Sequence, residues 1–151
     1  MLRDKAEHDK DMKNVKIAAM KETEKTNRDA SNTTKTSIKL SIKTLSKTLK
    51  GMTPDAAKFA WNDLKTKIEL FSAPIVAKNV KIHTLQKTMK AEWVIFNTAV
   101  LANNEVAANA SLTKIVDLKK VINAEYTDMT TLKLNLNKFL KDYTFPIMPV
   151  N

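Results

Sequence analysis

Five lysines, Lys35, Lys39, Lys43, Lys47 and Lys50, recur every three or four residues in the stretch TKTSIKLSIKTLSKTLKG, which contains no acid. Ile38, Leu40 and Ile42 alternate with polar residues as a half-buried strand would, but the alternation fails from Lys43 onward. At the helical advance of about 100° per residue, the longer window resolves into three faces. Ile38, Ile42, Leu45 and Leu49 fall within about 40° of one line, the lysines at about 60° to 180°, and Ser37, Ser41, Thr44 and Thr48 at about 240° to 300°. The strand reading explains only Ile38 to Ile42, so a helix is expected. Its Ser/Thr content makes it intrinsically weak, because these side chains compete for backbone hydrogen bonds.

A row of ammonium groups on one helix face suits phosphate. From Lys35 to Lys50 the helical rise covers about 22 Å, enough to follow several phosphates of a duplex. The hydroxyl face would add neutral donors, which also contact phosphate. The chain has 24 Lys and two Arg, and bidentate reading of guanine is mainly an arginine task. The expected chemistry is therefore sequence-independent contact with a nucleic-acid backbone, with Lys21, Lys25 and Arg28 assisting.

Bulk charge points the same way. The net charge is +10 over 151 residues, and it is uneven: residues 1–50 hold 13 Lys/Arg against 7 Asp/Glu, residues 51–151 hold 13 against 9. Such asymmetry implies a polyanionic partner, either nucleic acid or an anionic membrane surface. The bland alternative is a solvated basic face. Against lipid, the apolar face of the 34–51 helix is narrow and carries no aromatic residue.

Catalytic chemistry finds little support. A single Gly excludes the phosphate-binding P-loop and the dinucleotide GxGxxG turn, and no HExxH, GxSxG or EF-hand loop occurs. The absence of Cys removes disulfides, thiolate metal sites and a cysteine nucleophile. His8 and His83 are too far apart in sequence to suggest a site, and the pairs Asp9/Asp11 and Glu22/Glu24 sit in a lysine-rich surface segment. No enzyme, metal or cofactor is expected. The charged start shows no signal peptide, and WVIFNTAVLA (93–102), the longest apolar run, is half a membrane span.

The elements that must position the lysines follow from apolar spacing. One Gly and four Pro argue for an all-α chain with short turns. Residues 1–30 are polar, with Met12, Val15 and Ala19 as their only apolar spacing, and NRDASNTTKTS (27–37) reads as a break. Gly51 suits a helix C′ position, and Thr53 an N-cap with Pro54 at N1. Ala57, Trp61, Leu64, Ile68 and Phe71 form one stripe, and Ser72 and Pro74 punctuate it. Ile75, Ile82, Leu85, Met89, Trp93, Phe96 and Val100 form a second. After a turn near 103–109, Leu112, Ile115, Ile122, Tyr126 and Met129 form a third. Leu132, Leu136, Phe139 and Tyr143 form a fourth, after a break at Thr127-Asp128. The expectation is a basic helical arm (1–51), an antiparallel bundle of about four helices (52–144) and an extended apolar tail (145–151). Trp61 and Trp93 are read as core. The tail is either a strap on its own bundle or a hook onto a neighbouring subunit.

MKNVKIAAMKETEK and TKTSIKLSIKTLSKTLK as arm, with residues 53–143 as bundle, resemble the coat proteins of archaeal filamentous viruses. In that family basic arm helices wrap duplex DNA and helical bundles pack outside as a shell, often from two paired coat proteins. The resemblance implies a structural subunit of a virion filament that oligomerises with itself or a second coat protein. The alternative is a helical interaction or membrane-surface module whose basic arm docks on an acidic protein or anionic lipid.

Overall fold

A computed structural model describes the backbone from Leu2 to Val150, and of the side chains it describes Asn14 and those from Ile17 to Val150. His8, Asp9, Asp11, Met12 and Val15 therefore lie outside the described side chains. Three helices carry the chain: α1 (Leu2–Lys50), α2 (Pro54–Leu101) and α3 (Glu105–Asp142). No strand occurs among the described residues. The all-α expectation holds among the described residues, but residues 52–144, expected as about four helices, form two, α2 and α3.

Three expected breaks are continuous helix, each for a physical reason. In 27–37 the threonine hydroxyls bond back to their own helix: Thr33 Oγ1 donates to Asp29 O, Thr34 to Ala30 O and Thr36 to Asn32 O at 2.9–3.2 Å. Side chains that could have opened the helix are thereby engaged within it. Pro74 lies inside α2, on an exposed position. It removes one helical hydrogen bond, and Ile68, Phe71 and Ile75 pack on the core on both sides of it. At 127–128, Thr127 Oγ1 donates to Asn123 O at 3.1 Å, and Asp128 is held by Lys78 at 3.3 Å.

The real turns are tighter than expected. Asn103 takes φ 55°, its N–H reaches Val100 O at 3.1 Å, and the Asn104 N–H reaches Ala99 O at 2.8 Å. This paired closure is a Schellman motif with Asn at C′. Asn104 then caps α3, its Oδ1 accepting from Ala107 N at 3.1 Å. Gly51, by contrast, has no positive φ; α1 closes through Gly51 N to Thr48 O and Met52 N to Leu49 O, both 3.1 Å. Thr53 caps α2 as its position implies, Oγ1 accepting from Ala56 N at 3.4 Å.

The chain divides into two compact units, Met1–Arg28 with Asn79–Thr127, and Asp29–Lys78 with Asp128–Asn151. Each takes a segment of all three helices. In the first unit Ile17, Phe96, Ala99, Ala108, Leu112 and Ile115 form the core, with Met89 and Trp93 packed against it. Trp93 meets Phe96 edge-on at 5.6 Å. In the second, Ile38, Leu64, Leu136 and Leu140 form the core, with Ile42, Leu45, Ile68, Phe71 and Phe139 against it. Trp61, expected in the core, is 42% exposed. α1 is thus not a detached arm: Ile17 and Glu24 are buried in one unit, and Ser31, Thr34 and Ile38 in the other.

The tail is a strap only at its start. Tyr143 and Phe145 pack on the second unit's core, with rings 5.2 Å apart, whereas Ile147 is 91% and Val150 96% exposed. Tyr143 anchors the strap by donating its hydroxyl to Asp63 Oδ2 at 2.5 Å. That bond, then Lys67, holds the Asp63 carboxyl below its usual 3.8. Burial, then Asp63, pushes the Tyr143 hydroxyl well above its usual 10.0. Asp63 therefore contributes stability above pH 3.8 that is lost as pH falls, and Tyr143 contributes stability below pH 10 that is lost as pH rises. Tyr143→Phe is expected to be less stable than the parent at pH 7, with the difference shrinking in acid and above pH 10. Urea denaturation at pH 7, 3 and 11 checks this; a pH-independent difference would refute it.

Candidate nucleic-acid interface

α1 positions the lysine row, and the second unit holds that part of α1 in place. Ile38 is buried, and Ile42 and Leu45 pack with it on Leu64, Leu136 and Leu140; Leu49 is half-buried. Burying that face directs the opposite face to solvent: Lys35, Lys39, Lys43, Lys47 and Lys50 are all exposed. Among the described residues none of the five is paired with a carboxylate. Lys47 and Lys50 also lie in the last turn of α1, where the helix dipole favours cations.

The hydroxyl face behaves differently from expectation. Thr44 Oγ1 donates to Leu40 O at 3.0 Å and Thr48 Oγ1 to Thr44 O at 3.4 Å. Their protons are engaged by the helix, which leaves only oxygen lone pairs outward, the wrong polarity for phosphate. Ser37 and Ser41 are half-buried. Thr44 and Thr48 thus have their protons engaged within α1, whereas the ammonium groups of the row are exposed.

Lys21, Lys25 and Arg28 are exposed on α1 in the first unit, and the second unit's row is complete without them. That second unit is the more basic, with 12 Lys against six Asp/Glu, while the first has 14 Lys/Arg against ten.

Reading apolar stripes alone missed a set of inward polar residues. Along α3, Leu112, Ile115, Lys119, Ile122, Tyr126, Met129, Lys133, Leu136 and Leu140 advance by alternating threes and fours, the heptad spacing of packed helices. On α1 the residues Ile17, Glu24, Ser31, Ile38 and Leu45 recur every seven. Lys119 is 4% exposed and reaches Glu24 at 3.5 Å. Asn27 Nδ2 donates to Thr127 Oγ1 at 3.3 Å and Asn123 Nδ2 to Met20 O at 3.3 Å. Lys133 Nζ donates to Ser31 Oγ at 2.6 Å. The signal was present: two lysines fill heptad positions whose neighbours in the repeat are Leu112, Tyr126 and Leu140.

No group of His, Asp and Glu able to hold a metal occurs among the described residues. One open concavity of about 410 Å³ is lined by Lys67, Asn135, Lys138, Phe139, Asp142, Tyr143 and Thr144. No helix among the described residues is long and apolar enough to cross a membrane. Comparison with protein-family models, with curated proteins and with solved structures finds no match to this chain.

Proposed function

We propose that the protein is a non-enzymatic structural subunit that coats or packages nucleic acid, duplex DNA in the first instance, by sequence-independent phosphate contacts. The observation that carries the reading is the exposed, carboxylate-free row Lys35, Lys39, Lys43, Lys47 and Lys50 on a helix whose apolar face is buried in protein. An unpaired cation row on a packed scaffold needs no reorganisation to meet a phosphate backbone. The resemblance to filamentous-virus coat proteins extends the reading to a virion filament built of repeated subunits. A membrane-surface role is less well supported, because Ile38, Ile42 and Leu45, the residues that would enter lipid, already pack on the core.

Five neutralised phosphates would give a slope of log affinity on log salt of about −4.5 with random duplex DNA. Replacing all five lysines by Gln is expected to remove most of that slope while leaving the fold intact, since all five are exposed. Fluorescence anisotropy across a salt series measures it. Unchanged affinity and slope, or flotation with anionic vesicles without DNA binding, would overturn the reading.

A further inference from the structure

We propose that Lys133 of α3 and Lys35 of α1, which flank Ser31, form a seat for one phosphate group of the bound backbone. The inference rests on the function proposed above and adds a residue from a second helix to its site.

The seat is built by geometry. Lys133 Nζ lies 2.6 Å from Ser31 Oγ, and Ser31 is only 2% exposed. Lys35 follows Ser31 by four residues, so its side chain leaves α1 from the adjacent turn on the same face. One ammonium group thus meets a buried hydroxyl, and a second leaves α1 one turn on from it. Neither is paired with a carboxylate among the described residues.

The first unit supplies an internal comparison. Fourteen residues earlier on α3, Lys119 occupies the same heptad position, and seven residues before Ser31, Glu24 occupies the same position on α1. There the inward lysine is neutralised by a carboxylate at 3.5 Å. In the second unit a serine stands where the first has the carboxylate, and Lys35 follows Ser31 by four residues as Arg28 follows Glu24. The inward Lys133 therefore lacks the carboxylate that the inward Lys119 has. A phosphate oxygen accepting from Lys133 and Lys35 would supply that charge. Consistent with this, burial, and after it Lys35, hold the Lys133 ammonium below its usual 10.5, a direction that a bound anion reverses.

The test uses the full chain and two probes, a random duplex and inorganic pyrophosphate. Lys133→Met places an apolar residue at a heptad position and is expected to fold. Ser31→Asp installs an internal carboxylate in place of the external one. Each is expected to weaken duplex binding about tenfold, the loss of one charge-assisted hydrogen bond, with urea stability equal to or above that of the parent for Lys133→Met. The Lys133 Cε resonance is expected to shift saturably with pyrophosphate in the parent and not in Ser31→Asp. Parental duplex affinity in a folded Lys133→Met protein would overturn the proposal. If the parent itself fails to bind duplex, the functional reading falls, and pyrophosphate decides the seat: a saturable shift supports it and no shift overturns it.

Discussion

Lys119→Ala is expected to lower the unfolding free energy by about 3–5 kcal/mol, the cost of leaving a buried charge without its partner. Lys119 is 4% exposed and the Glu24 side chain it meets nearly as buried. Removing the ammonium leaves the largely buried carboxylate of α1 without the cation that it meets from α3. The loss is a property of the orphan and not of the pair. Replacing both together, Glu24→Leu with Lys119→Leu, is expected to be neutral or stabilising, since apolar residues would then continue the heptad series. Urea denaturation of the two single variants and the double variant forms a cycle that separates these terms. A Lys119→Ala loss under about 1 kcal/mol would show that the pair is solvated.

That pair also marks where sequence reading ends. Helical type, the Thr53 cap and the outward lysine face were legible because each depends on local spacing: a threonine before Pro54, an apolar arc at Ile38, Ile42 and Leu45. Continuity was not. Thr33, Thr34 and Thr36 look like a helix break until their hydroxyls are seen to bond back along α1. Pro74 looks like a stop until packing by Ile68, Phe71 and Ile75 offsets one missing hydrogen bond. The inward lysines were skipped because stripes were sought among apolar residues. Reading Thr127-Asp128 as a break split α3 into two expected helices, and skipping Lys133 hid the part of the candidate site that does not lie on α1. The exposed row is a one-helix feature, and the seat at Ser31 needs tertiary contact.

Leu64→Ala is expected to cost about 3–5 kcal/mol, the range for truncating a fully buried leucine whose surroundings cannot collapse. Leu64 is 0% exposed and packs with Ile38 of α1 and with Leu136 and Leu140 of α3, so the cavity would open where three helices meet. Leu70→Ala, six residues on, is the control: Leu70 is exposed, and its loss is expected to stay within about 0.5 kcal/mol. The consequence for function follows from what Leu64 supports. Ile38, Ile42 and Leu45 hold the intrinsically weak helix that bears the lysines, and a cavity beneath Ile38 loosens that hold. Amide exchange over residues 38–45 is expected to speed up in Leu64→Ala, while the five-lysine Gln variant, which touches no core, should keep parental protection there. Nucleic-acid affinity would fall in both, by loss of presentation in one and loss of charge in the other. Equal stability of Leu64→Ala and Leu70→Ala in urea would refute the packing that presents the row.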